Sequence, residues 1–284
     1  YGILQTKGDI YERNVKKTWI NTILSILFML PLYWAVVTSL KGKGEIYQVP
    51  PTLIPHMPTM DNYAKIFTLD NGVYLKYFMN SIWITICSIL FTCIVSIAAG
   101  YGLSKLDLKG GKIMLACILG AMMIPFQTLL TPLYTIMAKL GLLNTKMSLV
   151  LIYTTFHTPF CIYMMKNAFD TIPNGLLESA KLDGAGSFQV FLKICLPLTW
   201  SSVATIAVYS AYTTWNDYLI VLVFANSNTI KTFNVGLTNL EISVYGTDWG
   251  VLTAGSLVGM FPIMMMFLFL QKYFIKGMMS GALK

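Results

Sequence analysis

Six apolar segments, each about 20 residues or longer, constrain the fold of this chain more than any other feature of its sequence. They are residues 19–40, 78–103, 113–137, 147–169, 200–224 and 251–270. At a rise of about 1.5 Å per residue, a helix of this length crosses a hydrocarbon core of about 30 Å. Helices also satisfy their own backbone hydrogen bonds in lipid. We therefore predict an all-α integral membrane protein with six transmembrane helices, forming one domain over residues 1–284.

The composition agrees with a membrane protein and excludes a nucleic-acid binder. Hydrophobic residues make up 56% of the chain and charged residues 11%, and the mean hydropathy is +0.64. The net charge of +8 could suggest nucleic acid. However, the basic residues are scattered between the apolar segments and form no patch interleaved with aromatic residues, so membrane topology explains them better.

The distribution of lysine and arginine predicts the orientation. Six spans place both termini on the same side of the membrane. That side, with residues 104–112, Lys166 near the end of the fourth span and the loop at 171–199, carries thirteen of the 20 basic residues, and the opposite side carries seven. The positive-inside rule therefore places both termini in the cytoplasm. On the outer side, residues 41–77 contain Pro50, Pro51, Pro55 and Pro58. They are too polar for the membrane and too rich in proline for a continuous helix, so we expect an ordered loop or short helices.

Residues 171–199 form a charged segment between the fourth and fifth spans. Apolar residues recur at helical spacing on both sides of Gly184, which indicates two short amphipathic helices. Gly184 suits the C′ position of the first helix, and Ser187 could cap the second. Pro197 would stop or kink the helix at that position. The prediction is a helix-turn-helix at the membrane surface, and an ordinary amphipathic connector remains an alternative.

This segment resembles the EAA loop of ABC importer permeases. The pattern comprises Glu178-Ser179-Ala180, then Gly184, then Ile194 and Leu196-Pro197, with Ser179 in place of the usual first alanine. The resemblance implies a type I ABC importer (MetI-like) permease fold. It also implies a coupling helix around Ala180 to Ser187 that docks in a cleft of an ATP-hydrolysing subunit. The residues it assigns to this loop are Glu178, Ser179, Ala180, Asp183, Gly184, Ala185, Ile194, Leu196 and Pro197.

Further stretches resemble the carbohydrate branch of these permeases, of the maltose type. They are PTMDNYAKIF, IPFQTLLTPLY, KLGLLNTK, WNDY and the ending QKYFIKGMMSGALK. The resemblance implies a bacterial or archaeal cell membrane and a pseudo-twofold heterodimer with a second permease chain. It also implies two ATP-binding cassette subunits, contacted by the tail at 271–284, and an extracytoplasmic binding protein that delivers a sugar.

The chain lacks the motifs of an enzyme. No G-x-x-x-x-G-K-[ST] pattern occurs, so we expect no cofactor in this chain, with ATP and Mg bound by the partner subunits. The five cysteines include no C-x-x-C pair and indicate neither a disulfide framework nor a metal site. An intramembrane hydrolase would have Ser256 and His157 as its nearest candidates, without a recognised motif around them. An ATP-independent channel or such an enzyme is the alternative from a different functional class.

Asp217 is the acidic side chain that lies inside a predicted span. A carboxylate at the bilayer centre costs about 3 kcal/mol on insertion scales, so it usually turns toward protein or a water-filled path. Its place in the fifth span puts it near the outer mouth. The candidate pathway residues are Tyr212, Trp215, Asn216 and Asp217. The alternative is an Asp217 that is solvated at the interface or bonded to neighbouring backbone.

The outer loop at 226–250 is long for a connection between two bundle helices, which commonly takes about 2–8 residues. By resemblance it faces the binding protein, and a simple cap over the bundle is the alternative. The candidate contacts are Asn234, Asn239, Tyr245, Asp248 and Trp249. A permease for glycerol phosphate or another polyol is the second transport hypothesis. The predicted span interiors contain no lysine or arginine to hold phosphate, which favours a neutral sugar.

Overall fold

The computed structural model describes residues 2–241 and 247–282, with side chains for residues 17–240, 247–269 and 271. The regular structure of these residues is helical, which confirms the all-α prediction. The helices in chain order are α1 (Gly2–Ser39), α2 (Lys43–Ile46), α3 (Asp61–Lys105), α4 (Gly111–Ala121), α5 (Phe126–Lys139), α6 (Lys146–Asp170), α7 (Asn174–Leu182), α8 (Ser187–Val190), a π-helical segment (Phe191–Cys195), α9 (Leu196–Leu198), α10 (Trp200–Asn216), α11 (Leu219–Phe224), α12 (Phe233–Glu241) and α13 (Trp249–Ala282).

The helices that could cross a membrane number between four and six among the described residues. Four are long and apolar enough by themselves: Lys17–Ser39, Asp61–Lys105, Lys146–Asp170 and Trp249–Phe269. Two further candidates are bent pairs, which bring the number to six if each pair is one span. This range is consistent with the predicted six.

The third predicted span, at 113–137, is divided between two helices. Helices α4 and α5 meet at an angle of 98°. Pro125 begins α5 as its N-cap residue. A proline donates no backbone hydrogen bond and disfavours helical geometry at the residue before it, which favours a break of the helix here.

The fifth predicted span, at 200–224, is also interrupted. Helix α10 ends at Asn216, and Asp217 has an extended backbone with φ −69° and ψ 139°. Helix α11 begins at Leu219. The segment at 187–198 joins α10 with a bend of 73°, so the helical path into this span begins before Trp200.

Helix α3 begins at Asp61, so the prediction of a loop or short helices up to residue 77 is wrong from this residue onward. The prolines end at Pro58, and the Thr59 hydroxyl accepts a hydrogen bond from the Asp61 N–H at 3.1 Å. Residues 47–60 do lack regular structure, as the prolines indicate. Within α3, φ is positive at Asp70 (49°), Asn71 (59°) and Gly72 (77°), which interrupts the right-handed helical geometry.

The described chain divides into two compact units. Unit 1 contains residues 1–69 and 239–258, and unit 2 contains residues 70–238 and 259–284. The prediction of one transmembrane domain stays a prediction. In unit 1, the buried Asn62 amide donates to the carbonyl oxygens of Ser39 and Lys41, both at 2.8 Å, and so joins the start of α3 to the end of α1. Gly250 lies against this amide, because a Cβ there would come within 2.7 Å of it.

Unit 2 is organised around α6, whose buried residues belong to two hydrophobic clusters. Leu149 and Tyr153 belong to the first cluster, and Cys161, Met165 and Phe169 belong to the second. Each of these side chains is 1% exposed or less. The second cluster also includes residues of 172–195, so it fixes the charged segment to the end of α6.

Candidate functional site

The first helix of the EAA-like segment ends as the sequence predicts. Helix α7 has Asp183 at its C-cap, and Gly184 follows in the left-handed conformation with φ +86°. The Ala185 N–H donates to the Ala180 carbonyl and the Gly184 N–H donates to the Lys181 carbonyl, both at 3.0 Å. This pair of bonds is the Schellman motif, in which glycine avoids the steric cost of a positive φ. The prediction of Gly184 at C′ is confirmed.

The second helix begins differently from the prediction. Gly186, with φ −68° and ψ 156°, is the N-cap of α8, and Ser187 is already helical. The Gln189 side-chain oxygen accepts from the Gly186 N–H at 3.3 Å. The predicted cap at Ser187 is therefore wrong.

The predicted helix from Ala180 to Ser187 is also wrong. That range contains the end of α7, the turn at Gly184 and the start of α8. The left-handed glycine interrupts the helix, so the helix that carries Glu178, Ser179 and Ala180 is Asn174–Leu182. The Ser179 hydroxyl donates to the Gly175 carbonyl at 2.9 Å, so serine in place of alanine satisfies its hydroxyl within the helix.

The turn has an anchored side and an exposed side. Leu177 and Val190 are buried in the second hydrophobic cluster of unit 2. In contrast, Leu182 is 89% exposed and Phe188 is 71% exposed. Of the EAA-like residues, Ala180, Ala185, Ile194 and Leu196 are half-buried, and Glu178, Ser179, Asp183, Gly184 and Pro197 are exposed. These two exposed apolar side chains make the charged turn a candidate docking surface.

Lys105, at the end of α3, is a positioning residue that sequence reasoning missed. Its Nζ donates to the Ile172 carbonyl at 2.7 Å and to the Asn174 Oδ1 at 3.1 Å. It therefore holds the connection between α6 and α7. The sequence showed it as one of three lysines in a short basic turn, which identified its side of the membrane but not its partners.

Beyond the turn, the helix is wound irregularly before it bends. Residues Phe191–Cys195 are π-helical, and the Leu196 N–H donates back to the Phe191 carbonyl. Pro197 is the second residue after this segment, and the chain bends by 73° into α10. A single-turn π segment followed by proline is a common cause of helix bending, and such segments are frequent at functional sites. The predicted kink after Pro197 is confirmed.

The candidate pathway residues divide into two groups. Tyr212 and Asn216 are exposed one turn apart on α10. Trp215 is buried, with its ring edge-to-face against Phe78 and its Nε1 donating to the Gly259 carbonyl at 2.8 Å. Its side chain therefore faces the interior of unit 2.

Asp217 is half-buried and bonded within the chain. Its Oδ2 accepts from the Tyr153 hydroxyl and from the Ile220 N–H, both at 2.9 Å. It thus joins α6 to the first turn of α11 and satisfies a backbone donor there. This arrangement matches the alternative of a carboxylate bonded to neighbouring backbone, and its position on a transport path stays a prediction.

His157 links α6 to α10. Its Nε2 lies 2.9 Å from the Thr213 hydroxyl and its Nδ1 lies 3.2 Å from the Ser210 hydroxyl. Because the Thr213 hydroxyl donates to the Tyr209 carbonyl, it accepts from the Nε2–H, which leaves Nδ1 to accept from Ser210. The ring is buried, and the other hydrolase candidate, Ser256, donates to the Leu252 carbonyl in its own helix.

The candidate contacts in the outer loop also divide into residues bonded within the chain and residues that are exposed. The Asn234 amide donates to the Trp215 carbonyl at 2.7 Å, which satisfies a group near the end of α10. Asp248 forms an ion pair with Lys43 at 3.1 Å. Asn239 and Trp249 are exposed. Tyr245 lies outside the described residues.

Comparison with known proteins identifies the family. Residues 93–280 match the model of the binding-protein-dependent transport system inner membrane component. The chain belongs to this family. A probable ABC transporter permease protein, YurM of Bacillus subtilis (strain 168), is 35% identical over 94% of this chain and 87% of its own length. The arabinooligosaccharides transport system permease protein AraQ of Halalkalibacterium halodurans is 33% identical over 94% and 96%. As a member of this family, the chain is a membrane-embedded transport component.

Two solved structures share the fold of this chain. A chain of a bacterial ABC transporter involved in the import of the acidic polysaccharide alginate has a TM-score of 0.82 and 21% identity, covering 92% of this chain and 96% of that chain. A chain of the alginate transporter in complex with an alginate pentasaccharide-bound periplasmic protein has a TM-score of 0.66 and 15% identity, covering 91% and 94%. The predicted MetI-like permease fold is confirmed.

Proposed function

We propose that this chain is the permease subunit of an ATP-driven importer that takes up a sugar or oligosaccharide delivered by an extracytoplasmic binding protein. The observation that carries the proposal is the anchored turn of α7 and α8, which presents Leu182 and Phe188 on its exposed side. The names of relatives that align over more than nine-tenths of this chain, including an arabinooligosaccharide permease, support the sugar. Glycerol phosphate or another polyol is the second candidate.

The proposed assembly contains a second permease chain and two ATP-binding cassette subunits, which bind ATP and Mg. Both termini and the turn at Gly184 lie in the cytoplasm, in agreement with the positive-inside distribution. Closure of the ATP-binding subunits pulls the turns of the two permeases together. The helices then rock from the inward-open to the outward-open state, and sugar released by the binding protein enters near the midplane.

Within this chain, three contacts suit the turn to transmit a displacement. Leu177 and Val190 pack in the cluster that includes the end of α6. Lys105 bonds the connection before α7 to α3. The π-helical segment leads through the 73° bend directly into α10. A shift of the turn therefore moves the ends of three membrane helices.

Replacement of Leu182 by aspartate tests the docking role. Leu182 is 89% exposed, so Leu182→Asp should leave insertion and thermal stability unchanged. It should lower binding-protein-stimulated ATP hydrolysis in the reconstituted complex by about tenfold or more. The ATPase subunit would bury this side chain on docking, and a carboxylate there would have to lose its hydration. The matched control is Leu106→Asp, at a 45% exposed leucine of the turn between α3 and α4. Equal stimulated activity in both variants would refute the docking role.

The transported solute is tested through the partner that captures it. Mass spectrometry of the ligand retained by the co-purifying binding protein should find a sugar or oligosaccharide. A retained phosphate ester or polyol would favour the second candidate, and the absence of a co-purifying ATPase would exclude both.

A further inference from the structure

Unit 1 contains a cavity of about 410 Å³ between the C-terminal end of α1, the segment after it in the chain and the start of α13. Three aromatic rings line it, those of Trp34, Tyr47 and Trp249. The hydroxyl-bearing residues Thr38 and Thr253 line it as well. The cavity thus combines flat apolar surfaces with polar groups, and neither the family match nor the proposed import cycle assigns it a role.

Lys41 places a buried positive charge at this cavity. The residue is 2% exposed, its ammonium donates to the Thr52 carbonyl, and it lies 4.9 Å from the centre of the Trp34 ring. Among the described residues Lys41 forms no ion pair. Glu45, which lies nearby in sequence, accepts instead from the Thr52 hydroxyl and the His56 N–H. Glu45 lies close enough to interact electrostatically with Lys41 but forms no ion pair with it. A buried ammonium without a direct ion pair is costly, so the cavity favours a further anionic group.

The depth of the cavity indicates what is attached to the anionic group of its ligand. The candidate membrane span of α1 ends at Ser39, and that of α13 begins at Trp249. Residues near both of these ends line the one cavity, so we place the two ends at the same membrane boundary. The cavity extends down α1 to Pro31. Eight residues separate Pro31 from Ser39, which is about 12 Å along the helix. The cavity therefore reaches from the headgroup level into the hydrocarbon region, deeper than a soluble partner has reason to extend.

We propose that this cavity binds an anionic phospholipid of the leaflet at the C-terminal end of α1. The phosphodiester pairs with the Lys41 ammonium, and the upper acyl chain lies along Pro31, Trp34 and Ala35. A lysine ammonium forms charge-assisted hydrogen bonds with phosphate oxygens, and tryptophan and tyrosine prefer the membrane interface, where the headgroups lie. A free phosphate shares the charge but not the acyl chain, so the two sources can be separated.

Native mass spectrometry of the full chain, released from nanodiscs of equal phosphatidylglycerol and phosphatidylcholine, tests the proposal. The natural chain should retain one phosphatidylglycerol in preference to phosphatidylcholine. Lys41→Met should lower that retention at least tenfold, and Lys41→Arg should keep it. Ala35→Phe leaves Lys41 in place and fills the apolar part of the cavity, and it should also lower retention at least tenfold. The matched control is Lys65→Met, which removes the same charge from another lysine of unit 1 and should retain the lipid.

Two results would overturn the proposal. One is equal retention of the two lipids by the natural chain, since the cavity would then not select the anion. The other is full displacement of phosphatidylglycerol by millimolar inorganic phosphate with no effect of Ala35→Phe, which would make the site a phosphate site without an acyl-chain groove. If Lys41→Met does not fold, Ala35→Phe and Lys41→Arg still decide between these outcomes.

Discussion

Asp217 shows how a single carboxylate can be stabilised inside a membrane protein. Its Oδ2 receives two donors, one from the side chain of Tyr153 and one from the backbone of Ile220. Tyr153 is 1% exposed, so its hydroxyl depends on this acceptor. The pair joins α6 to α11 across the interruption of the fifth span. The carboxylate thus stabilises the fold at this position, whether or not it also lines a transport path.

We expect the effect of an Asp217 substitution on stability to depend on whether the new side chain keeps a hydrogen-bond acceptor. Asp217→Asn keeps a carbonyl oxygen for both donors and should change the thermal midpoint little. Asp217→Leu leaves the buried Tyr153 hydroxyl unpaired and should cost about 1–3 kcal/mol. Thermal unfolding in detergent measures this difference, and Tyr153→Phe with Asp217→Leu should recover part of the loss. Equal thermal midpoints for Asp217→Asn and Asp217→Leu would show that the hydrogen bonds to this side chain contribute nothing to stability.

At the scale of single residues, the sequence predicts which side chains can form hydrogen bonds better than it predicts where those side chains point. The sequence places Trp215 among the candidate pathway residues and Asn234 among the candidate contacts of the binding protein. In the structure, Trp215 donates to the Gly259 carbonyl and Asn234 donates to the Trp215 carbonyl. These partners lie 44 and 19 residues away in sequence. Local spacing carries no information about such contacts. Gly184 was predictable because the requirement for a left-handed residue is local.

Among the helices of unit 2, Gly100 lets the backbones of α3 and α6 approach closely. Small residues recur every fourth position on α3, at Ser88, Thr92, Ser96 and Gly100. A Cβ on Gly100 would lie 2.7 Å from the Met165 Cβ and 2.9 Å from the Lys166 backbone nitrogen. Small residues at this spacing let membrane helices pack by their backbones, which compensates for the absence of a hydrophobic driving force in lipid.

We predict that Gly100→Ala destabilises the chain by about 1–3 kcal/mol, because the backbone of α6 must shift to accommodate one methyl group. The control is Gly120→Ala in α4, where a Cβ meets no atom within 4 Å. That variant should be neutral or slightly more stable, since alanine favours a helix over glycine by about 1 kcal/mol. The two midpoints are compared by thermal unfolding of the purified chain. A Gly100→Ala variant as stable as Gly120→Ala would contradict the packing argument.

The bends of the helices were less predictable than their existence. Pro31, Pro132, Pro159 and Pro262 lie inside continuous helices, whereas Pro125 begins a new helix at a 98° bend. In membrane helices, neighbouring groups can satisfy the carbonyl that a proline leaves free. The outcome therefore depends on tertiary surroundings. Length and hydropathy predict a span, and proline alone does not predict where it breaks.

At the scale of the whole molecule, the outer loop combines structural and exposed parts. Helix α12 buries Phe233, Val235 and Leu237, and Asn234 satisfies a carbonyl near the end of α10. Deleting residues 234–243 to test contact with the binding protein would therefore damage the fold itself, so it could not isolate that contact. Asn239 is exposed on the same helix, so a change there can test the proposed contact with the binding protein separately.

We expect Asn239→Arg to reduce binding-protein-stimulated ATP hydrolysis and to leave basal hydrolysis unchanged. The added charge would have to be desolvated at an interface, whereas it stays hydrated in the free chain. The control is Gln48→Arg, at another exposed amide on the predicted outer side. Both activities are measured in the same reconstituted complex. Full stimulation of Asn239→Arg would remove this position from the proposed contact.

The exposed side of the turn at Gly184 should affect how fast the chain is degraded before assembly. In the proposed importer, Leu182 and Phe188 present apolar surface to water until an ATP-binding subunit covers them. Chaperones and membrane proteases recognise such surface on an orphan subunit. We therefore expect the cellular half-life of the permease to shorten when the gene for its ATPase is absent. Selective degradation of unassembled copies would then hold permease and ATPase at matched stoichiometry without any dedicated regulator.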